Sequence, residues 1–314
     1  MYINSIGYYL PEKVVPNAYF EQLNGLTDDW IVTRTGIENR RRAGDGETSN
    51  SMAIEAVNNA IERLSYHISD IDLIVGASYT PNDTIDTVSV RIQKEFDLTN
   101  VISITVSAAC SSFVNAMEIV EGYFATGKAQ RALVVSSDKN TGYSDDTNKV
   151  SGHLWGDGAV AAFVSKDHIT PNDIEVIDVL TRGLANIGQG PSGVYLNPVK
   201  EGLVMPFGKD VFIHACNFMA EITREIAERN NMTIKDIDYL VPHQANIRII
   251  NHVAEDLGIA KDKVIVNIDQ CGNTGAASSM IGLAQRIDEI PAGSVMAVSV
   301  FGGGYSAGGM LLKK

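Results

Sequence analysis

Ile71-Asp-Leu-Ile-Val-Gly76 and Ile237-Asp-Tyr-Leu-Val-Pro242 carry one pattern twice, and that repeat decides the fold. Each is a short apolar run of the kind that predicts a buried strand. Each follows a long amphipathic stretch, predicted as helix over roughly 48–64 and 211–230. Three further pairs keep the same order. Val101-Ile-Ser-Ile-Thr-Val106 matches Lys263-Val-Ile-Val-Asn-Ile268 as second strands, and Gln130-Arg-Ala-Leu-Val-Val-Ser-Ser137 matches Gly293-Ser-Val-Met-Ala-Val-Ser-Val300 as third strands. Gly156-Asp-Gly-Ala-Val-Ala-Ala-Phe-Val164 and Tyr305-Ser-Ala-Gly-Gly-Met-Leu-Leu312 close the two halves. Through the first three pairs the offset stays near 163 to 166 residues, which chance similarity does not sustain. The sequence thus predicts an α/β protein of two duplicated βα halves, 1–166 and 167–314, each with a largely parallel sheet covered by helices. A polar connection with Pro and Gly, about 166–210, joins them.

Composition bounds the function. At 314 residues, with 45% hydrophobic content and 28 glycines, the chain can bury a large core and make many tight strand–helix turns. Three cysteines do not form a disulfide framework and point to a reducing compartment. The first residues, Met1-Tyr-Ile-Asn, lack the basic region of a signal peptide, and no apolar run reaches transmembrane length. A net charge of −13 argues against nucleic acid and anionic membrane surfaces as partners. A cytoplasmic globular protein is expected.

Cys110 is the chemically informative residue. The run Val101–Val106 predicts a buried strand, Ser107-Ala-Ala109 a tight turn, and Ser111 to about Thr126 a helix ending near Gly127. A thiol on that turn faces the positive end of a helix dipole, where a thiolate is stabilised and its pKa should fall. Taken alone, such a cysteine is better read as a small buried hydrophobe. Open α/β sheets, however, place ligands outside the carboxyl ends of their strands. His243, in Pro242-His-Gln-Ala-Asn246, ends the first strand of the second half. Asn273, in Cys271-Gly-Asn-Thr-Gly275, follows the second. Each alone fits a helix start or a turn. Related by a pseudo-dyad, the three converge on one pocket. His67, His153, His168, His214 and His252 have no such context, and no Cys/His grouping has zinc spacing.

In these motifs the chain resembles the β-ketoacyl-acyl-carrier-protein synthase III family of the thiolase superfamily, essentially end to end. The Ala-Ala-Cys turn, Pro242-His-Gln-Ala-Asn246, Gly272-Asn-Thr274, Gly156-Asp-Gly-Ala159, Phe301-Gly-Gly-Gly304 and Trp30-Ile-Val-Thr-Arg-Thr-Gly-Ile37 stand in family order. The resemblance implies a thiolase-like, layered α-β-α-β-α arrangement. It also implies decarboxylative condensation of an acyl-CoA with malonyl-acyl carrier protein through a Cys110 acyl-enzyme. The coenzyme A thioester is then a substrate, with no permanent cofactor and no metal. The backbone amides of Cys110 and Gly303 would form the oxyanion hole, and His243 and Asn273 would stabilise the enolate. Trp30 would stack on adenine, Arg34 would reach phosphate or ribose, and Lys149 stands where a second basic residue sandwiches the base. Trp155, Ile85 and Phe301 map to the acyl pocket, Ile85 as the residue lent by the partner of a homodimer.

Carrier proteins are acidic, so docking on this acidic chain needs a local basic patch. Arg248 is retained for it. Ile213, Glu255 and Asp256 occupy positions where the family often has lysine, which suggests a weaker site or one moved toward Arg40-Arg41-Arg42. Three rivals remain on the residues alone: a papain-like hydrolase, argued against by the duplication and the Trp30 segment; a thioesterase or ester- or amide-forming acyltransferase of this fold; and a non-catalytic scaffold.

Overall fold

A computed structural model describes residues 1–314. Its strands are β1 (Tyr2–Tyr9), β2 (Lys13–Pro16), β3 (Asn39–Arg42), β4 (Leu73–Ala77), β5 (Ile102–Val106), β6 (Arg131–Lys139) and β7 (Asp157–Ser165) in the first half. The second half holds β8 (Ile174–Gly183), β9 (Tyr195–Asn197), β10 (Gly202–Val204), β11 (Tyr239–Pro242), β12 (Val295–Gly302) and β13 (Ser306–Lys313). The helices are α1 (Asn17–Asn24), α2 (Asp28–Thr35), α3 (Ser49–Ile61), α4 (Val88–Glu95) and α5 (Ser112–Ala125), then α6 (Gly208–Arg229), α7 (Ile247–Leu257), α8 (Ile268–Cys271) and α9 (Ser278–Arg286).

Nine strands connect in the order β11-β12-β13-β8-β1-β7-β6-β4-β5. The order is nearly palindromic about β8–β1, as a duplication requires, and only Tyr2↔Glu175 and Ile3↔Ile174 pair across that joint. Three apolar cores then define the layers. One lies between α3, α4 and the outer face of the first half, and another between α6, α7 and the outer face of the second. The third is built on Phe113, Met117, Met280 and Leu283 of α5 and α9, with strand residues from both halves. Helix α5 touches β4 and β6 but also β8 and β13, while α9 touches β11 and β12 but also β1 and β7. The arrangement is therefore α-β-α-β-α, as the family resemblance implies.

Four sequence expectations change. The sheet is mixed, not largely parallel: β4/β5, β4/β6 and β11/β12 are parallel and every other pair is antiparallel. No crossover helix separates β6 from β7 or β12 from β13, and parallel pairing needs one. The first return runs through the long segment 140–156 and the second through the short turn 303–305, so the last repeat pair loses the common offset. The presumed connection 166–210 contains β8, β9 and β10. In β8, buried Ile174, Val176 and Val179 are interspersed with polar residues, which hides the strand in a search for apolar runs.

The other two changes concern the second strands. β5 is a sheet edge with Ile102 38% exposed, not a buried strand. Its counterpart after Lys263 makes only the bridge Leu240↔Val264, backed by Ile265 N–H donating to Leu240 O at 2.9 Å.

Candidate active site

The Cys110 turn is shaped by its neighbours. Ala109 sits at φ +47°, in the left-handed region that costs a non-glycine residue roughly 1–2 kcal/mol. Two serines hold that conformation. Ser112 Oγ accepts from Ala108 N–H (2.8 Å) and donates to Ala109 O (2.6 Å), and Ser111 Oγ donates to Ala108 O (2.8 Å). The loop after β12 lies directly against this turn. A Cβ on Gly302 would stand 2.9 Å from Cys110 N, so only glycine permits the approach. The amides of Cys110 and Gly303 donate to no other protein group. They remain available to a developing oxyanion.

The Cys110 thiol is not depressed as the helix argument expects. Burial, then the nearby Asp138 carboxylate, push it up to about 12. The start of α5 still favours the thiolate, but that contribution is at most about 2 kcal/mol, under two pH units. The resting residue is therefore a thiol. Burial likewise raises Asp138, to about 6, against the donors it collects. Those are Ser78 Oγ–H, Tyr79 N–H, Thr80 N–H and Oγ1–H, and, from the other half, Ala276 N–H.

His243 follows β11 and is buried, its N–H donating to Ser299 O at 2.8 Å. Ser278 Oγ accepts from Gln244 N–H (3.2 Å) and lies 2.7 Å from His243 Nδ1, and since its proton has no other acceptor it goes to the ring. That assigns the Nε2–H tautomer, with Nε2 left without a protein partner. Burial lowers the ring to about 4, so it is neutral at physiological pH.

Asn273 is pinned through its backbone. Its N–H donates to Leu154 O (2.9 Å) and its carbonyl accepts from Gly156 N–H (3.0 Å). Its Oδ1 accepts from Gly275 N–H (3.0 Å), which leaves the Nδ2 donors free. Gly156 is needed here, because a Cβ on it would stand 2.0 Å from Cys271 O.

A cavity of about 280 Å³ opens at the turn, walled by Cys110, Tyr79, Trp155, Val194, Leu196 and Gly303 among others. Of the predicted residues, Cys110, Gly303 and Trp155 share this cavity. Asn273 is bridged to Trp155. His243 is not a wall of it; its ring is held by Ser278, at the start of α9. Phe301 does not line the cavity either. Its place on β12 turns it into the second core, stacked on Phe218 at 6.3 Å and against Tyr305 at 5.1 Å. Ile85 is 85% exposed in the loop before α4 and touches none of this chain's cavity.

The predicted nucleotide end is a separate surface. Thr27 caps α2 by accepting from Trp30 N–H. The Arg34 guanidinium lies 4.4 Å from the Trp30 ring centre, and His153 meets that ring edge-on at 5.4 Å. His153 is buried, two residues before the cavity wall Trp155. Lys149 is exposed in a turn and makes no ion pair. Arg248 is exposed on the first turn of α7, its guanidinium 5.6 Å from the Phe212 ring. It shares a side with α2, since Gly36 packs directly on Ile247.

Two of the three arginines in the run are withdrawn from any docking patch, and the half-buried Arg41 donates to Pro11 O at 3.1 Å. Arg40 is fully buried, donating to His153 O (2.7 Å) and Asn17 Oδ1 (2.5 Å) beneath Gly272. Arg42 is spent on Asp146, with bonds of 2.6 and 2.8 Å. Sequence reasoning also missed Asp138 and Tyr79. An acid closing the apolar run Ala132-Leu-Val-Val135 was a usable signal for Asp138, because a buried carboxylate needs assembled donors. Nothing local marks Tyr79.

Residues 104–183 match the family described as 3-oxoacyl-[acyl-carrier-protein (ACP)] synthase III, and residues 227–314 match its C-terminal description. A β-ketoacyl-[acyl-carrier-protein] synthase III of Staphylococcus saprophyticus is 36% identical over 313 residues, 99% of this chain and 98% of that protein. The Brucella canis protein of the same name is 34% identical, with 99% of this chain and 98% of that protein covered. The crystal structure of 3-oxoacyl-[acyl-carrier-protein] synthase III from Aquifex aeolicus VF5 superposes with a TM-score of 0.93 at 32% identity, covering 100% of this chain and 99% of that one.

Proposed function

The chain belongs to the 3-oxoacyl-[acyl-carrier-protein] synthase III family, and from that premise we propose that Cys110, His243 and Asn273 carry out its two half-reactions. The enzyme is an acyltransferase that condenses an acyl-CoA with malonyl-acyl carrier protein to give 3-oxoacyl-carrier protein, CoA and carbon dioxide. One observation carries the assignment of residues. Two unpaired amides flank a thiol in an apolar cavity, and two unpaired side-chain donors stand at the matching strand ends of the other half.

In the first half-reaction the Cys110 sulfur attacks the thioester carbonyl. The amides of Cys110 and Gly303 take the oxyanion, and coenzyme A leaves as its thiol with the proton Cys110 gave up. In the second, malonyl-carrier protein loses carbon dioxide. The electron pair of the broken C–C bond forms an enolate, whose oxygen accepts from His243 Nε2–H and Asn273 Nδ2–H. The enolate carbon attacks the acyl-enzyme carbonyl and expels the Cys110 thiolate, which recovers a proton from solvent. Neutral histidine suits this step, since it holds its Nε2 proton throughout. The chemistry uses a coenzyme A thioester as substrate and needs no resident cofactor.

Trp30 and Arg34, with Lys149 a weaker third contact, bind the nucleotide end of coenzyme A. Arg248 docks the carrier protein, on a surface where Ile213, Glu255 and Asp256 stand at positions that the family often fills with lysine. The protein is a homodimer joined at the β5 edge, where Ile102 and Ile85 are exposed and the backbone groups of an edge strand await a partner. Three unpaired cysteines support a cytoplasmic setting. The halves 1–166 and 167–314 are its two structural repeats.

The test is incubation with a labelled acyl-CoA, mass spectrometry for a Cys110 adduct, then addition of malonyl-carrier protein and analysis for a 3-oxoacyl product. An adduct that only hydrolyses would make the protein a thioesterase, and no adduct would leave it a scaffold.

A further inference from the structure

Gly303 has no side chain to hold it, and neither has Gly304. The turn 303–305 between β12 and β13 is therefore free to shift unless Tyr305, its one residue with a side chain, is anchored. Tyr305 is buried, its ring against Phe301 in the second core. Its hydroxyl donates to Asp210 Oδ2 at 2.7 Å, in the first turn of α6. Burial, then the Asp210 carboxylate, raise the phenol, so it keeps the proton that it donates.

The same oxygen holds a second loop. Gln189 N–H donates to Asp210 Oδ2 at 2.9 Å, and a Cβ on Gly188 would stand 2.5 Å from that atom. Just beyond Gln189 the chain supplies Pro191, Val194 and Leu196 to the wall of the Cys110 cavity. That stretch packs directly on the turn. A Cβ on Gly193 would stand 2.0 Å from Tyr305 Oη, and one on Gly303 would stand 2.9 Å from Val194 Cγ1. Gln189 N–H, then the Tyr305 hydroxyl, hold the Asp210 carboxyl below its usual range, so an anion receives both. Hydrogen bonds to an anion are about twice as strong as neutral ones. His214, one helical turn along, stands 3.5 Å from the other oxygen, Oδ1.

We propose that Asp210 is a positioning residue, which through one carboxylate oxygen fixes both the Gly303 amide beside Cys110 and the cavity wall packed on it. Asp210 lines no part of the cavity and acts only through these two loops. The inference rests on the assignment of Gly303 to the oxyanion hole and deepens that reading.

The test compares two reactions of Cys110 in the full-length protein. Acylation by a thioester builds an oxyanion and needs the Gly303 amide in place. Alkylation by iodoacetamide displaces iodide from carbon and builds none. Whichever of acetyl-, butyryl- and octanoyl-CoA loads the wild type fastest serves as the probe, with mass spectrometry measuring the adduct. Tyr305→Phe keeps the ring and removes the anchor. Its acylation rate constant should fall about tenfold, the cost of a misplaced donor. The Michaelis constant for the probe and the alkylation rate should hold, since the lost contact is made only in the transition state. Asp210→Ala releases both loops and should cost about thirtyfold in acylation. Asp210→Asn keeps an acceptor oxygen for both donors and should recover to within about threefold of the wild type. A parallel loss of acylation and alkylation would make the contact a support of the fold alone and overturn the inference. Unchanged acylation in Tyr305→Phe and Asp210→Ala overturns it too, as does an Asp210→Asn protein no better than Asp210→Ala. If no probe loads the wild type, the functional reading fails and takes this inference with it, a result seen before any variant is compared.

Discussion

In the N-terminal half the second strand pairs fully, β5 running beside β4 over five residues from Leu73↔Ile102 to Ala77↔Val106. In the C-terminal half its counterpart touches β11 at a single bridge. A side chain replaces the lost ladder: Gln244 Nε2 donates to Ile265 O at 3.0 Å, and its Oε1 accepts from Asn267 N–H at 3.1 Å. The two halves thus deliver their functional groups by different means. The first ends a regular strand in a strained turn and aims a nucleophile at a cavity. The second gives up the strand, and the freed backbone coils through Gly272 and Gly275, both at φ +66°, to present a side-chain amide. Duplication supplied two equivalent positions, and loss of pairing made them chemically unlike.

That contrast breaks first at Asn273. Asn273→Ala should lower condensation by about a hundredfold or more, the usual cost of an oxyanion donor. Cys110 acylation, measured separately from acyl-CoA, should change little. Equal loss in both steps would show that the halves do not divide the chemistry.

The pH dependence separates the halves next. With the Cys110 thiol pushed up to about 12, its thiolate fraction and hence acylation should rise about tenfold per pH unit between pH 7 and 9. Condensation by preloaded enzyme should stay flat over that range. It should fall only as the pH drops toward about 4, where His243 gains a second ring proton and can no longer accept from Ser278. Single-turnover rates for each step across pH 4.5–9 check this, and a condensation limb near pH 6.5 contradicts a neutral, buried histidine.

Arg248→Glu sharpens the contrast from outside, on the C-terminal half alone. It should raise the Michaelis constant for malonyl-carrier protein about tenfold, as loss and reversal of an interface charge does, and leave the constant for acyl-CoA unchanged.

Smallest is the seam itself. A Cβ at Gly156 meets the Cys271 carbonyl, so Gly156→Ala should destabilise the protein by about 2 kcal/mol. The measurement is thermal unfolding, where a drop of a few degrees is expected at this size.

Much of this was legible before any coordinates. The repeat of Ile71–Gly76 in Ile237–Pro242 carries the duplication, because buried strands must be apolar wherever they fall. The Ala-Ala-Cys turn and the Pro-His-Gln-Ala-Asn motif carried the family. β8 was missed because interspersed polar residues dilute its inward-facing ones, and the antiparallel returns were missed because strand direction depends on connections that composition does not encode. Phe301 was misplaced because a motif names a residue without saying which face of its strand is inward. Arg40 and Arg42 differ from the expected surface charges because Asn17 and the His153 carbonyl take up the first and Asp146 the second.

The sequence by itself determined the repeat and the identity of the reactive groups, since these follow from local pattern and residue chemistry. Only the tertiary structure decided their states. Whether Cys110 rests as thiol or thiolate depends on burial and on Asp138 in β6. Which proton His243 carries depends on Ser278, 35 residues on. Where Tyr305 sends its proton depends on Asp210, 95 residues back. Protonation is set by what surrounds a group in space, and folding alone brings those surroundings together.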